Sequence, residues 1–524
     1  TRVGKFTTGK FTYSNFAKNL AVVPAPFDWA NDYDGIDRAS TDIAGAVADY
    51  TYLENVVNNE FQANLTKDIG KFSNKLLLGY SVYQRKTKSI FVNSTSIVVP
   101  EIYNVSNRQG NLDGNEANTL ERKFGYYADF SSNFNKYLTL EAVFRYDYTS
   151  RFYAPNRDAS LYAFPYYGAS LAFQLTDAIP SIKSPTLNDI KFKASYNKNG
   201  NDNLPLYALD LTYGNATGFP FGSNVGLTVG NVLPNSGLKP EFVTTVEFGT
   251  EIALFNNRVN FEAVYYNQSS VDQVITVKVP NSTGFSNLLI NVGETQNKGL
   301  ELDLKVQIIK SKDFNWEVGL RYSKNENKVV ALYPGINEFS YGGYAYATSN
   351  VIVGQSFPQL KTTGYYYDDA GRRRVDPVSG YPIQNTSLLS RGNVLPTDLV
   401  GFSSKLKYKR WSLNWNMEYR GGNVIFSQIG RDMTFTGSGK WTENRAPHIF
   451  ENSYYIDVAT KNNTPNTTVQ ARESEYELWV SNYRLIAENF VSPAWFIKLR
   501  EINLVYDFSE NFIKKSKVFN AASV

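Results

Sequence analysis

The chain has 524 residues, with 53 Lys and Arg against 49 Asp and Glu, no Cys and a single His. Without Cys there can be no disulfide framework, thiolate metal site or cysteine nucleophile, and a Ser-His-Asp triad would have to use His448, which sits in a polar loop. The net charge of +4 is close to balance and lacks the concentrated basic face of a nucleic-acid binder.

Mean hydropathy is -0.36. No apolar run approaches the roughly 18 residues a membrane helix needs. A membrane β-barrel is still allowed, because half of each strand and all the loops are polar. Aromatic residues make up 15% of the chain, as Tyr 37, Phe 34 and Trp 7. Barrels place such residues in interfacial girdles; sugar and peptide sites use them as contact surfaces. The chain starts without a secretory signal peptide, so the expectation is a mature chain or one whose start is missing.

Thr1 to Tyr52 is polar, with weak alternation, and reads as a long loop. Glu60 to Ile69 and Lys75 to Arg85 then alternate, joined by a short turn from Gly70. After a long polar connection come Arg122–Ser132 and Tyr137–Thr149, joined by a tight turn, and then Leu161–Leu175 with Ile190–Lys198. A Gly-, Pro- and Asn-bearing loop leads to Phe242–Leu254 and Arg258–Val277, separated by Phe255-Asn256-Asn257.

The hairpin from Gly299 to Ser323 organises the chain. Leu300, Leu302, Leu304, Val306 and Ile308 fall on one face; Glu301, Asp303, Lys305 and Gln307 fall on the other. A period of two denotes an extended strand with one apolar and one wet face. A soluble sheet could carry the same pattern, but these arms run to about nine or ten residues, enough to cross a bilayer at a tilt, against about five or six for a soluble strand. A long loop full of Tyr and Gly, Ala331 to Thr397, precedes Phe402–Lys409 and Trp411–Tyr419. Another long loop precedes Trp495–Phe508, where the alternation changes phase around Arg500-Glu501 and predicts a bulge. One more strand is expected before Val524. The reading is all-β: about fourteen antiparallel strands with alternating short turns and long loops, the pattern of a transmembrane β-barrel with periplasmic turns and extracellular loops.

Several segments resemble the SusC-like (SusC/RagA) TonB-dependent transporters of Bacteroidetes outer membranes. Asn291-Val292-Gly293-Glu294-Thr295-Gln296-Asn297-Lys298-Gly299-Leu300-Glu301 resembles that family's N-(I/V)-G-E-x-x-N-K-G-(I/V/L)-E. Arg145-Tyr146-Asp147-Tyr148-Thr149-Ser150-Arg151-Phe152 is similar to R-x-D-G-S-S-R-F, with Tyr148 in place of Gly and Thr149 in place of Ser. Phe164-Pro165 with Gly168-Ala169-Ser170, Ile190 to Tyr196 with Asn199-Gly200-Asn201, Leu238-Lys239-Pro240-Glu241 with Asn257-Arg258, and Trp495 to Tyr506 follow in the family's order. The resemblance implies a multi-pass outer-membrane barrel of about 22 strands with a plugged lumen. Residues 1–524 would be one partial barrel, about its eighth to twenty-first strands. The family's plug domain, TonB box, first strands and last strand have no match here. It further implies import without covalent chemistry or a cofactor, energised by TonB through a segment not in this chain, under a SusD-like lipoprotein lid.

On that reading the long loops supply the contacts to solute or lid: Tyr341, Tyr344, Tyr365, Tyr366, Tyr367, Arg372, Arg373, Trp441 and Trp479. Tyr faces stack on sugar rings or peptide groups and Arg pairs with carboxylates. The bland alternative for Tyr365 to Arg374 is a loop hairpin with an Asp-Gly-type turn and a solvated basic end. A calcium loop on Asp368 and Asp369 lacks further oxygens at useful spacing, so no metal is expected. Glu301, Asp303, Lys305, Glu317 and Arg321 would face the lumen, touching plug or solute or simply forming a charge network along the wall. Trp316, Trp411, Trp415 and Trp495 are expected as a lipid-interface girdle on the short-turn side. Two other functions compete with import of an oligosaccharide or peptide. One is a structural or accessory subunit of a larger envelope complex. The other is a soluble β-rich carbohydrate enzyme, which would need a carboxylate pair in a core cleft and has no use for the lipid-facing stripe.

Overall fold

The computed structural model describes residues 47–509 apart from 95–96, 100–101, 156, 217, 220, 444–446 and 472–477, together with 2–8, 512–513 and 523–524. Fourteen strands form one continuous wall. They are β1 (Arg2–Thr8), β2 (Val47–Ile69), β3 (Phe72–Ser94), β4 (Asp113–Phe134), β5 (Leu138–Thr149), β6 (Ala163–Gln174) and β7 (Leu187–Asn201). These are followed by β8 (Glu241–Leu254), β9 (Val259–Lys278), β10 (Asn287–Lys310), β11 (Phe314–Ala331), β12 (Asp398–Tyr408), β13 (Trp411–Gly421) and β14 (Phe496–Tyr506). Each pairs with its neighbours in chain order, as antiparallel strands joined alternately by turns and loops must.

The short turns are built from residues that tolerate a left-handed backbone. Gly70 carries φ +60°, Asn135 and Lys136 carry 51° and 68°, and Phe255, Asn256 and Asn257 carry 54° to 60°. The β6–β7 connection is longer and holds a helical turn, Leu175–Ala178.

Register puts the apolar residues on one face. Across the organising hairpin Leu304 lies opposite Leu320, Leu302 opposite Tyr322 and Val306 opposite Val318. Facing pairs share a side of the sheet. This face stays open to the surroundings: Phe61 is 72% exposed and Ile502 63%. A continuous apolar surface on this scale suits lipid and not water. Near the short turns it ends in rings in mutual contact: Phe72 with Phe134 at 4.7 Å, Phe314 with Tyr408 at 6.4 Å, and Trp411 with Tyr506 at 4.7 Å.

The opposite face is polar and concave. One cavity of about 780 Å³ is lined by Ser170, Lys193, Glu247, Glu262, Glu301 and Asn325, one residue from each of the successive strands β6 to β11. A hollow shared by side chains on neighbouring strands requires the sheet to curve toward them.

The strands outrun the alternation that announced them. β2 begins at Val47 and not at Glu60, and β3 continues to Ser94, so Val47 to Tyr52 is strand where loop was expected. Residues 2–8 pair with β2 as well; the remainder of that expected loop lies outside the described residues. The predicted bulge is present: the β13–β14 register shifts between Asn416 and Met417, which leaves Arg500 as the extra residue. A second shift between Gln307 and Ile309 takes Ile308 out of the alternating ladder. The final strand expected before Val524 falls largely outside the described residues, although Val524 and Tyr506 exchange backbone hydrogen bonds of 2.8 and 3.1 Å.

Candidate functional site: the polar face and its cap

The signature segments act as joints in the wall. Asn291 donates from Nδ2 to the carbonyls of Lys239 and Asp272, both at 2.7 Å, and accepts the Lys239 N–H at 2.8 Å. Glu241 accepts the Val274 N–H and the Asn201 amide, each at 2.8 Å. Leu238 is fully buried with Phe152, Leu204 and Leu209. Four separate signatures therefore meet at the long-loop rim, and Asn291 holds the irregular backbone at Asp272, where φ is +58°. In the Arg145–Phe152 segment, Arg145 grips Asp147 at 2.7 Å and Arg151 grips the buried Glu121 at 2.7 Å. Thr149 caps the turn that buries Phe152.

All five residues expected on the lumen side lie on the polar face, with Asp303 opposite Arg321 and Gln307 opposite Glu317. Arg321 pairs with Asp303 at 2.8 Å and Lys305 approaches it at 3.7 Å. Lys193 joins Glu251 and Glu262, and Glu418 takes both Arg420 and Arg500. Among the described residues Glu301 and Glu317 are in no ion pair. Glu301 borders two adjoining cavities of the polar face.

Above the long-loop rim, the described residues of segments 332–397 and 422–495 fold together as a cap. Strands Glu338–Tyr344, Ala347–Ile352, Gln359–Tyr365 and Gln384–Asn393 make a sheet in that order. A helix, Gln428–Thr436, is capped at its start by Ser427, whose hydroxyl accepts the Gly430 N–H, and at its end by Gly437 at φ 69°. Glu488 ties the two segments together. It accepts the Tyr367 hydroxyl at 2.7 Å and the Tyr365 N–H at 3.2 Å, and pairs with Arg391 at 2.8 Å. Arg431, almost fully buried, stacks its guanidinium 3.6 Å from the Tyr346 ring centre. No sequence pattern singled out Glu488 or Arg431.

The cap divides the nine loop candidates. Tyr365 is 1% exposed, with its hydroxyl on Asn489 at 2.7 Å, and burial pushes its phenol pKa up. Trp479 is 8% exposed and packs with Tyr381 and Ala471. These two are core residues of the cap and cannot be contact surfaces. Tyr341, Tyr344, Tyr366 and Tyr367 are exposed, and so is Trp441, whose indole N–H donates to Thr434 at 2.9 Å. Tyr344 lies parallel to Tyr346 with centroids 5.4 Å apart. Arg372 is held by Asp368 at 2.7 Å inside a hairpin closed by Asp368, Ala370 and Gly371, while Arg373 lies over the Tyr365 ring at 5.0 Å. Tyr365 to Arg374 thus forms the local hairpin of the bland alternative. Tyr341 and Tyr344 stand on the edge strand, and Tyr366 and Tyr367 follow the third strand.

The tryptophans divide too. Trp316, Trp411 and Trp415 lie on the apolar face of the strand halves nearest the short turns; Trp316 donates its indole N–H to Ser404 at 3.1 Å and Trp415 packs on Phe402. Trp495 is misplaced in the expected girdle. With Trp411 opposite Tyr506 and Arg420 opposite Phe496, Trp495 enters β14 at the long-loop rim, the other side of the membrane band. His448 pairs its backbone with Ala471 and its ring with Phe450.

Residues 4–479 match the family described as TonB dependent receptor-like, beta-barrel. The chain is 24% identical over 530 residues to TonB-dependent receptor P3 of Formosa agariphila, covering 94% of this chain and 50% of that protein. It is 24% identical over 479 residues to TonB-dependent receptor SusC of Bacteroides thetaiotaomicron, covering 83% and 44%. Among solved structures, the RagAB peptide transporter superposes with TM-score 0.72 at 19% identity, over 93% of this chain and 52% of that one. The chain spans about half the length of the curated relatives it matches. It belongs to the TonB-dependent receptor-like β-barrel family of the outer membrane, whose strands carry it across the bilayer.

Proposed function

We propose that the chain is the greater part of the wall and the surface cap of a TonB-dependent importer for a large solute, an oligosaccharide or a peptide, working with a SusD-like surface lipoprotein. The observation that carries the reading is the pairing of a curved, charge-lined inner face with a folded cap at its long-loop rim. A wall that only scaffolded neighbours has no need of a hydrated interior. The cap offers the exposed rings of Tyr341, Tyr344, Tyr366, Tyr367 and Trp441 as contacts for solute or lid. Glu301, Asp303, Lys305, Glu317 and Arg321 would face a plug or a passing solute. Closure of the wall needs further strands: unpaired backbone groups at a sheet edge cost several kcal/mol each in lipid. A 22-strand barrel with a plug supplies them, and TonB would act through that plug. The RagAB neighbour is a peptide transporter, so peptides belong among the solutes to be tested beside oligosaccharides.

Isolation of the intact protein from outer membranes in mild detergent tests this. Mass spectrometry should find one surface lipoprotein in fixed ratio, and labelled peptides or oligosaccharides should bind. Several unrelated envelope proteins in fixed ratio, with no solute bound, would support an assembly subunit and overturn import.

A further inference from the structure

The outer face of β3 and β4 changes character above the aromatic residues. Val82 lies opposite Phe124, and Phe124 opposite Tyr148 with rings 4.4 Å apart; Tyr80 and Tyr126 face each other one step below at 5.0 Å. From Phe72 at the short-turn rim to Val82 is about 33 Å of strand at about 3.3 Å per residue. At a tilt of about 40° that rises about 25 Å, the height of the apolar band of an outer-membrane barrel. Phe124 and Tyr148 are therefore at its upper boundary.

The next outward positions carry three cations, Arg122, Lys86 and Lys88. Gln84 lies opposite Arg122, Lys86 opposite Leu120 and Lys88 opposite Asn118. All share the side of Val82 and Phe124 because they follow at steps of two. Arg122 and Lys86 are exposed. Arg122 donates to Gln84 at 2.9 Å, a neutral partner that leaves its charge in place, and the register sets it diagonal to Lys86. Lys88 is paired with Glu116 at 2.9 Å. Among the described residues, Arg122 and Lys86 have no carboxylate partner. The contrast lies across the wall, where the outward Lys324 is neutralised by Glu326 at 2.8 Å.

We propose that Arg122 and Lys86 form a binding site for the phosphate of an outer-leaflet glycolipid. The two cations lie within about 5–10 Å above the apolar band, on the lipid side, where headgroups are the available anions. The aromatic pairs below them suit the upper ends of the acyl chains. Arg offers a planar fork to phosphate and Lys a mobile point charge, a complementary pair for one phosphate group. Such attraction is strongest within a Debye length, about 8 Å at physiological salt, which keeps the effect local.

The test uses the intact protein purified from outer membranes, exchanged into detergent with lipid A carrying its phosphates or lipid A stripped of them. Retained lipid is counted by native mass spectrometry. The unmodified protein should retain the phosphorylated form at least tenfold better than the stripped form. K86Q/R122Q should lose that preference, while K75Q, a lysine on the polar face, should keep it. Single K86Q and R122Q variants, each expected to lose part of the preference, cover the case in which the double variant does not fold. Equal retention of phosphorylated lipid A by the unmodified and folded variant proteins would overturn the site. So would equal retention of the two lipids by the unmodified protein, or displacement of lipid A by millimolar inorganic phosphate.

Discussion

Tyr266 on β9 lies across the backbone of Gly299, the residue directly opposite it on β10, and its hydroxyl reaches on to Asn325 on β11 at 3.0 Å. A Cβ at position 299 would run into the ring. The glycine in the N-K-G-L-E segment is thus the seat of an aromatic side chain that bridges three strands on the polar face. Gly79 seats Tyr127 in the same way.

Gly299→Ala should therefore force the Tyr266 ring aside and break its bond to Asn325. Overpacking of this kind costs about 1–3 kcal/mol. The expected outcome is a lower temperature for loss of the compact, heat-modifiable form on gel electrophoresis. Tyr266→Phe, which keeps the ring and loses the hydroxyl, should have a smaller effect, about 1 kcal/mol.

Glu488 holds the two halves of the cap. Glu488→Ala removes the acceptor of the Tyr367 hydroxyl and the Tyr365 N–H and leaves the largely buried Arg391 without its carboxylate. Loss of hydrogen bonds to a charged group costs about 1.5–3 kcal/mol. The cost should fall on the cap alone. Limited proteolysis of outer membranes should cut within 365–393 several-fold faster, while the heat-modifiable transition of the wall stays where it was.

The wall was legible where the surroundings force a pattern. Inside the lipid band one face must be apolar and the other wet, so Leu138 to Thr149 and Glu241 to Leu254 read within a residue or so of their observed limits. Above the band both faces are wet and hydrogen bonding alone continues the strand, so Val47 to Asn59 gave no signal. The bulge at Arg500 was legible because it breaks a period of two. Trp495 was assigned to the wrong rim because tryptophan type alone does not say at which end a strand enters. The burial of Tyr365 and Trp479 was hidden for a different reason. Much of the cap core forms between segments about a hundred residues apart, as in Thr363 to Leu485 at 2.8 Å and Tyr381 with Trp479, and nothing local in either segment announces its partner.

A turn in the cap gives a pH prediction. The N–H of Ser379 donates to the Asp376 carboxylate at 2.8 Å, and that of Val378 at 2.9 Å. The Ser379 N–H foremost holds the Asp376 carboxyl below the usual carboxylate range. A depressed folded-state pKa stabilises the turn above the unfolded value, near about 3.9, and that stabilisation is lost as pH falls through the lower folded value. Exchange of the Val378 and Ser379 amides, corrected for intrinsic rates, should lose protection below about pH 4. Asp376→Asn should show weaker protection at neutral pH and no loss of it on acidification.

A wall embedded in lipid with its cap at the cell surface has its short turns in the periplasm. These 524 residues contain no Cys, so within them an introduced cysteine is the one thiol to label. Tyr344→Cys in the exposed cap and Lys71→Cys in the β2–β3 turn should be treated on intact cells with a membrane-impermeant maleimide. Labelling is expected at position 344 in intact cells and at position 71 only after the outer membrane is opened. Labelling of both positions in intact cells, or of position 71 alone, would contradict this orientation.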